Sequence, residues 1–482
     1  MLPTFFSSKN KIDPALKTGS IIGLIMLCGL ILRAQGFHSP VDYDEAYTIV
    51  EFGTKSWLTA FSDYSLPNNH LFHSVLVKAC SFIFGMHTWS VRLPAMAAGL
   101  GVILAAFILG KEIFNNDAGI LAAVFAAFSP EMIRYSTSAR GYSMLDLFVL
   151  LSFFTGYRLV TKQSRKLWIL LAVFTALGLW TIPLMLYPAG AIYLWLILAG
   201  PKSWKYFYSW LASGLIAGLL SLVLYSPALV FSGWRKIFAN SFVQPVELKK
   251  YYDWILVDRL KETWNSWTMN LPIILIILLT TGFLVSFFIT RTDRSPIPLQ
   301  LIVIVWCTVL IILRRPDMFD RFWSWLVAPV LVWSAGGIIN ICMKLPPKNM
   351  IPKFFIAISL AGLIFFTIAF IPTLPAMWNK ISNAEASANY IAAHYQPGDV
   401  VLAGYPNNAP VWFYLLQSNV KRETWQARND APRYFILLAA NQKDQTLSSI
   451  IKDYHVDSAV LDTNQPILLT EYGKIKIFAW TK

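Results

Sequence analysis

Residues 19–50, GSIIGLIMLCGLILRAQGFHSPVDYDEAYTIV, join an apolar run to a group of three carboxylates. The run 19–36 is long enough for a membrane helix, because about 20 residues at about 1.5 Å each cross a hydrocarbon core about 30 Å thick. It is too long for a signal peptide that is removed, and it lacks the small-residue cleavage site of one. The stretch therefore predicts a membrane helix followed at once by an acidic loop.

The same kind of run recurs along most of the chain, in which 56% of the 482 residues are hydrophobic and only 14% are charged. A helix is the only open segment that satisfies its own backbone in lipid, so each run predicts a transmembrane helix. We predict eleven spans, near residues 19–36, 89–110, 118–133, 141–160, 167–182, 184–200, 208–231, 271–290, 297–313, 323–343 and 354–372. The expected fold class is an all-α polytopic membrane protein.

The net charge of +14 is explained by loop Lys and Arg residues that set topology beside anionic membrane lipids. With the N-terminus inside, these residues are about twice as dense in the inner loops as in the outer ones, which supports that orientation. The protein is therefore expected in the plasma or inner membrane, with the acidic loop outside. No basic, aromatic-rich soluble module indicates nucleic-acid binding. The four cysteines suggest no disulfide framework and no paired metal motif.

The last segment has a different pattern, and we divide the chain into a transmembrane domain, 1–373, and an extracytoplasmic α/β domain, 374–482. The first domain includes the first outer loop, 38–88. The second alternates helix and strand signals at a spacing typical of a small α/β domain. Predicted helices lie at 384–395 and 446–455, and predicted strands at 397–404, 433–441 and 457–462. No GxGxxG phosphate motif is present, so acceptor recognition or a scaffold role is expected.

Two further outer segments are amphipathic. Residues 66–88 combine apolar positions at helical spacing with polar ones, which predicts an interfacial helix that exposes His73 and His87. The loop 232–270 is rich in Lys and Arg and has two open interpretations. It is either an interfacial helix on anionic headgroups or a mobile loop that closes over a substrate.

The acidic loop offers Asp42, Asp44 and Glu45 as candidate catalytic residues. Three close carboxylates raise one another's pKa unless cations offset them, so a plain solvated loop is the weaker interpretation. Proton abstraction, metal binding and cation transport are the tasks that such a group performs beside a membrane. Asp42 and Asp44 have the spacing of a DxD metal motif. A hard cation binds more oxygen ligands than one short loop supplies. We therefore expect that a divalent cation can bind here but that no cofactor is required.

Arginines lie at the mouths of other spans on the same face. The motif SARGY contains Arg140 and Tyr142, and the loop RRPDMFDRFW contains Arg315 and Arg321. An arginine fork holds two phosphate oxygens by parallel hydrogen bonds, so these side chains are candidates for phosphate binding. For Arg92, at the start of the second span, we expect a structural ion pair or a headgroup contact.

Taken in order, the acidic DE pair, NNH at 68–70, RLP at 92–94 and ARGY at 139–142 resemble the GT-C membrane glycosyltransferases. The resemblance is greatest to the branch with protein O-mannosyltransferases and the lipid A aminoarabinose and galacturonic acid transferases. It is carried by residues 38–160 and, beyond them, by the number of spans and the outer C-terminal domain. It implies a polyprenyl-phosphate sugar as donor, with the sugar presented outside.

The resemblance also implies roles for individual residues. The acidic pair matches Asp44 and Glu45, with Asp44 as general base, and Asp42 is an addition that leaves room for a shifted base or a metal. The NNH positions Asn69 and His70 would lie near the donor. The remaining matches, ARGY and a late-loop arginine that holds the lipid phosphate, correspond to Arg140, Tyr142 and Arg321, with Arg315 nearby.

The expected function is therefore an inverting glycosyltransferase that moves a sugar from a polyprenyl phosphate to a hydroxyl of a lipid, glycan or protein acceptor. A polyprenyl-lipid transporter or flippase is one alternative, but no repeat relates the two halves and the charges gather at one face. A membrane sensor whose outer domain binds a ligand is a second alternative. It gives the first-loop carboxylates no task.

Overall fold

The structure is a computed structural model that describes residues 14–240, 244–269, 271–289, 297–348, 350–370, 383–439, 442, 444–457 and 465–481. Helices dominate the chain up to residue 370. In chain order they are α1 Pro14–Ala34, α2 Tyr43–Thr48, α3 Trp57–Ser62, α4 Leu71–Phe84, α5 Thr88–Ile113, α6 Asn116–Phe128, α7 Pro130–Ser136, α8 Tyr142–Thr161, α9 Arg165–Thr181, α10 Leu186–Ala199, α11 Trp204–Phe231, α12 Trp234–Phe238, α13 Leu248–Lys250, α14 Leu256–Thr268, α15 Ile273–Ile289, α16 Leu299–Arg314, α17 Ser324–Lys344 and α18 Ile351–Phe370.

The predicted spans fall on these helices, and the chain is a multi-pass membrane protein. Five helical segments among the described residues are long and apolar enough to cross a bilayer, and a sixth is obtained if the bent pair 248–268 and 273–289 counts as one. The five are Ala15–His38, Thr88–Ile113, Tyr142–Thr161, Trp204–Phe231 and Asp320–Lys344. Shorter apolar helical stretches among the described residues lie at Leu71–Phe84, Asn116–Phe128, Pro183–Ala199, Leu299–Arg314 and Ile351–Phe365. The count of eleven spans therefore stays a prediction.

Small residues bring the long helices close together. A Cβ on Gly337 of α17 would collide with the carbonyl oxygen of Gly282 in α15, so only glycine permits this approach. Elsewhere, Arg33 near the end of α1 is fully buried and donates to the carbonyl oxygens of Ala126 and Ala127 at 3.1 and 2.8 Å. These carbonyls end α6 and have no intrahelical partner. The contact fixes the point where α1 leads into the acidic loop.

The C-terminal part of the chain has its own sheet, as the α/β pattern predicts. Its elements are α19 Asn383–His394, β1 Val400–Ala403, α20 Asn408–Gln417, β2 Arg433–Ala439, α21 Leu447–Asp453, β3 Ile467–Tyr472 and β4 Ile475–Thr481. The strand order is β1-β2-β4-β3. β1 and β2 are parallel, with Val400 opposite Tyr434, and the β2/β4 and β3/β4 pairs are antiparallel.

The predicted helices at 384–395 and 446–455 and the strands at 397–404 and 433–441 agree with this unit. The predicted strand 457–462 lies almost wholly outside the described residues, and so does the proposed boundary at 373/374. The hairpin β3–β4 and helix α20 were not predicted. The hairpin strands carry Lys and Glu among apolar residues, which weakens their apolar signal, and α20 starts within the turn-like sequence YPNNAP.

The C-terminal unit packs directly on the acidic loop. One hydrophobic cluster contains Val41, Ala46 and Ile49 from that loop together with Phe413 and Tyr414 from α20. The Val41 N–H donates to the Tyr414 hydroxyl at 3.2 Å, just before α2. Just after α2, Arg422 donates to the Val50 carbonyl and the Glu51 carboxylate at 2.8 and 2.7 Å. The unit therefore holds α2 on both sides.

Helix α4 confirms the helix predicted within 66–88, but one detail was wrong. His73 is fully buried, whereas the amphipathic pattern placed it on the exposed surface. Leu71, Ser74 and Val77 share its buried face. The helix packs against α3, α5 and α9, so its inward face holds polar as well as apolar side chains.

Candidate active site

Helix α2 presents the three carboxylates in three different directions. Asp42 is the N-cap, and its Oδ1 accepts from the Glu45 N–H at 2.7 Å, which satisfies one of the free donors at the helix start. Asp42 is exposed, but nearby protein atoms displace part of the water around its carboxylate. This desolvation, together with the negative charges of Glu45 and Asp44, raises the pKa of Asp42.

Glu45 points inward and forms a buried ion pair with Arg92. Arg92 Nε and Nη2 donate to the two Glu45 carboxylate oxygens, each at 2.7 Å, and both side chains are 1% exposed. The Ala139 N–H donates to Glu45 Oε1 at 2.7 Å. Arg92 Nη1 also donates to the carbonyl oxygens of Gly36 and Ser39 at 2.7 Å. The structural ion pair predicted for Arg92 is confirmed, and it joins three segments of the chain.

Asp44 points toward the second group of arginines. Its Oδ2 accepts from Arg321 Nη1 at 2.8 Å, and the side chains are 35% and 41% exposed. This one bond joins the first loop to the loop before α17. The structure thus brings together Asp44 and Arg321, which are 277 positions apart and were both predicted to be functional.

Arg140 lies beside Asp44 but is buried, and two of its hydrogen bonds go to backbone carbonyl oxygens. Its Nη1 donates to Thr48 Oγ1 at 2.6 Å, to the Asn68 carbonyl at 3.0 Å and to the Asp44 carbonyl at 3.3 Å. These bonds hold α2 against the segment 68–70. The position of Arg140 therefore does not support a direct contact with a phosphate. Its hydrogen bonds are those of a residue that orients Asp44.

His70 and Tyr142 lie beside Arg140. The Gly141 N–H donates to His70 Nδ1 at 2.9 Å, and a Cβ on Gly141 would lie 3.1 Å from the same ring. Burial and the nearby positive charge of Arg140 lower the pKa of His70 well below its usual value, so the imidazole is neutral. The Tyr142 ring meets the His70 ring edge to face, with centroids 5.1 Å apart.

Two other predicted residues have local roles. Asn69 is buried; its Nδ2 donates to the Asp63 carbonyl at 2.6 Å, and its Oδ1 accepts from Ser74 at 2.6 Å. Arg315 has a left-handed backbone, with φ at 44°, at the end of α16, and its Nε donates to the Val246 carbonyl at 3.0 Å. Asn69 orders the first loop, and Arg315 fastens the loop between α12 and α13.

The sequence interpretation missed Arg134 of α7, which is 47% exposed and lies beside the Asp44–Arg321 pair. Arg134 Nη2 donates to Asp320 Oδ2 at 3.0 Å, while Asp320 Oδ1 accepts from the Arg321 N–H at 2.7 Å. The available signal was that Arg134 lies between the predicted spans 118–133 and 141–160, in the same outer loop as the start of SARGY.

The same network includes helix α14. Ser266 of α14 donates to Glu131 at 2.5 Å and to Asp320 at 3.3 Å. Arg259 Nε pairs with Asp317 at 2.6 Å, in the loop that carries Arg321. Helix α14 therefore lies against the site, while Trp254, Leu260 and Trp264 are exposed.

The geometry gives little support to a metal site. Across the described parts of the chain, no group of three or more His, Cys, Asp and Glu side chains is arranged to hold an ion. Asp42 Oδ1 is occupied by a backbone N–H, and Asp44 Oδ2 by Arg321. The two carboxylates of the DxD spacing thus face different partners.

Part of this chain is similar to known sequences. Residues 70–231 match the family model described as dolichyl-phosphate-mannose-protein mannosyltransferase. Two Bacillus subtilis (strain 168) proteins named as mannosyltransferases, YkcB and YycA, are 32% identical over 94 residues and 35% identical over 99 residues. Each match covers 20% of this chain, and the chain spans only 13% and 14% of the length of these curated relatives.

Solved structures resemble nearly the whole chain. ArnT from Cupriavidus metallidurans matches in the apo state with a TM-score of 0.64 and 11% identity, covering 96% of this chain and 98% of that one. ArnT bound to undecaprenyl phosphate matches with a TM-score of 0.63 and the same identity and coverage.

The oligosaccharyltransferase AglB from Archaeoglobus fulgidus, in complex with an inhibitory peptide and a dolichol-phosphate, matches with a TM-score of 0.57 and 12% identity. That match covers 92% of this chain and 69% of AglB. The resemblance suspected from DE, NNH, RLP and ARGY is thus confirmed: the chain has the GT-C fold of ArnT and AglB, and its residues 70–231 match the dolichyl-phosphate-mannose-protein mannosyltransferase family.

Proposed function

We propose that this protein is an inverting membrane glycosyltransferase that moves a sugar from a polyprenyl phosphate to an acceptor hydroxyl. The observation that carries the proposal is the half-exposed Asp44–Arg321 pair, which combines a proton acceptor with a phosphate-binding fork. The ArnT fold supports it, since one ArnT structure holds undecaprenyl phosphate. The matching family is described by a dolichyl-phosphate sugar donor.

Arg321 and Arg134 form the phosphate clamp of this proposal. Asp320 joins them, because it accepts from the Arg321 backbone N–H and from the Arg134 side chain. It holds the Arg134 guanidinium beside residue 321, while Asp44 holds the Arg321 guanidinium. Arg321 uses Nη1 for Asp44, which leaves other N–H donors for phosphate oxygens. Preorganised donors of this kind stabilise the charge that develops on a leaving phosphate.

Asp44 acts as the general base. An acceptor hydroxyl becomes a competent nucleophile when a carboxylate removes its proton, a contribution of about 10²–10⁴-fold in rate. The hydroxyl oxygen then bonds to the anomeric carbon, and the bonding electron pair leaves with the phosphate. A single displacement needs the base and the phosphate on opposite faces of the sugar, so the Asp44–Arg321 bond opens as the substrates bind and the anomeric configuration inverts.

The buried residues around this pair keep it in position. The Glu45–Arg92 pair fixes α2 to the start of α5, and Arg140 donates a hydrogen bond to the Asp44 carbonyl oxygen. Neutral His70 fixes the backbone of Gly141. These contacts hold Asp44 within the narrow tolerance that a near-attack geometry requires.

The site is extracytoplasmic in this proposal, as the distribution of Lys and Arg residues between the loops indicates. The protein then works at the plasma or inner membrane. A test replaces Ser65 in the first loop, and in a second variant Lys162 between α8 and α9, with cysteine. A membrane-impermeant maleimide should label intact cells only at position 65. Labelling at position 162 alone would reverse the orientation.

The activity is tested with purified protein in nanodiscs and a panel of radiolabelled undecaprenyl-phosphate sugars. We expect release of undecaprenyl phosphate and a product whose anomeric configuration, read by NMR, is opposite to that of the donor. Asp44→Asn serves as the inactive control. If no polyprenyl-phosphate sugar is bound or consumed, the proposal is wrong; a product of retained configuration would overturn the single displacement.

A further inference from the structure

An aromatic pair lies where the C-terminal unit meets the acidic loop. The rings of Tyr43 in α2 and Tyr405, just after β1, meet edge to face, with centroids 4.8 Å apart and planes at 73°. Tyr43 also contacts Tyr47, at 5.8 Å between centroids. Tyr405 is 64% exposed, which is unusual for a large aromatic ring held in a domain junction.

Tyr43 connects this pair to the catalytic carboxylates. It lies between Asp42 and Asp44 in sequence. Burial, together with the nearby Tyr47, Tyr405 and Asp44, raises the pKa of Tyr43 to about 12. The Tyr405 ring therefore packs against the residue of α2 that directly precedes Asp44.

Tyr405 is held in place by its own domain. Gln445 Nε2 donates to the Tyr405 carbonyl at 2.9 Å, and Gln445 Oε1 accepts from the Ala439 N–H at the end of β2 at 2.6 Å. Tyr405 thus follows the carboxyl end of a strand in a parallel pair, which is where ligands bind in open α/β sheets. Arg422 and Tyr414 anchor the same unit on both sides of α2.

We propose that Tyr43 and Tyr405 form the acceptor subsite and that the acceptor is a carbohydrate. This inference rests on the proposed glycosyltransferase function and names its substrate class. A sugar ring has an apolar C–H face that packs on an aromatic ring, and hydroxyls that donate to carboxylates such as Asp42. A site of this kind combines aromatic walls with a few polar groups that fix the orientation.

The subsite fits the transfer step. In the proposed subsite one sugar ring packs on Tyr405, and one of its hydroxyls gives up its proton to Asp44 and bonds to the anomeric carbon of the donor. The bond from that carbon to the phosphate oxygen breaks at the same time, and the electron pair leaves with the phosphate. The C-terminal unit thereby contributes a specificity residue to a reaction carried out by the membrane domain.

The test uses methyl α-mannoside and methyl β-glucoside as probes, with protein in nanodiscs. Saturation-transfer NMR measures their binding, and steady-state transfer assays measure acceptor KM, donor KM and kcat. The variants are Tyr405→Ala and Tyr405→Phe. Tyr208→Ala is the matched control, because Tyr208 in α11 is also exposed, at 62%, and lies outside the junction.

We expect Tyr405→Ala to raise the glycoside KM about tenfold, the effect of losing one aromatic contact, with donor KM changed by less than about twofold. Tyr405→Phe keeps the ring, so its glycoside KM should rise by less than about threefold. Tyr208→Ala should behave as wild type. Unchanged glycoside KM in Tyr405→Ala would overturn the subsite, and so would wild-type protein that binds neither glycoside but glycosylates an acetylated Ser/Thr peptide. Consumption of undecaprenyl-phosphate sugar distinguishes failure of the acceptor subsite from failure of the proposed function. If the donor is still consumed, only the acceptor subsite is wrong. If the donor is not consumed, the proposed glycosyltransferase function is wrong.

Discussion

Asp44 and Glu45 are neighbours in sequence and each forms an ion pair with an arginine, but the two pairs differ in almost every other respect. Glu45 and Arg92 are 1% exposed and share two bonds of 2.7 Å, and Glu45 accepts a third from the Ala139 N–H. Asp44 and Arg321 are 35% and 41% exposed and share one bond of 2.8 Å. One turn of helix therefore presents a closed pair and an open one.

The difference teaches which charge is structural and which is available for chemistry. A buried pair has been removed from water, so loss of one partner leaves an uncompensated charge. A half-exposed pair contributes little to stability, because solvent screens it. Its members can exchange partners with a hydroxyl or a phosphate. The comparison assigns stability to Glu45 and catalysis to Asp44, and four experiments can break or sharpen that assignment.

The largest effect is expected for Asp44→Asn. The amide keeps the size of the side chain but cannot take a proton, so kcat should fall by about 10²–10⁴-fold. Folding should be unchanged, since the pair it removes is half-exposed. The measurement is single-turnover transfer together with a thermal unfolding curve.

Asp42→Asn is the matched control for Asp44→Asn. Asparagine is also a good N-cap, so α2 should keep its start and activity should fall less than about tenfold. Near-normal turnover in Asp44→Asn with an inactive Asp42→Asn would move the base to Asp42, whose pKa is raised.

Arg92→Leu breaks the closed pair. Among the described residues, it leaves the buried Glu45 carboxylate with the Ala139 N–H as its hydrogen-bond donor, so the free energy of unfolding should fall by about 3–5 kcal/mol. The expected readout is a lower yield of folded protein and a lower melting temperature, with residual activity in proportion to the folded fraction. Arg158→Leu, which breaks the half-exposed pair with Glu112, is the control and should change stability by less than about 1 kcal/mol. Equal losses from the two variants would contradict the distinction between closed and open pairs.

Arg321→Ala and Arg321→Lys test the open pair from its other side. If Arg321 stabilises the leaving phosphate, kcat should fall about 10²-fold in the alanine variant, with a smaller change in donor affinity. Lysine keeps the charge but loses the planar fork, so its kcat should fall about tenfold. Steady-state kinetics and donor binding in both variants provide the measurement. Unchanged kcat and affinity in Arg321→Ala would transfer the clamp to Arg134.

The sequence contained most of the architecture and much of the site. Apolar runs predicted the helices, because burial in lipid demands long uninterrupted hydrophobic segments. Asp44 and Arg321 were identified because carboxylates and arginines rarely gather on one membrane face without a task. The roles of neighbouring residues could not be separated, since sequence does not give direction: Glu45 and Arg140 point inward, and Arg134 points toward the site. Those directions depend on contacts between residues about 50 to 280 positions apart.

The smallest effect is expected from metal removal. A hard cation such as Mg²⁺ or Mn²⁺ takes about six oxygen ligands, and the DxD spacing offers Asp42 and Asp44. In each of them one carboxylate oxygen is already engaged, by the Glu45 N–H and by Arg321. Arg321 and Arg134 would supply the positive charge that a metal supplies at other phosphate sites. Turnover in EDTA should therefore stay within about twofold of that in Mg²⁺, since arginines offset the charge of the phosphate.

The assay compares EDTA-treated protein with protein supplemented with Mg²⁺ or Mn²⁺, and uses Asp42→Asn to test the DxD motif. Complete loss of activity in EDTA, restored by either cation and abolished in Asp42→Asn, would show that Asp42 and Asp44 hold a metal in the working enzyme. The open pair would then be a metal site rather than a base and a clamp.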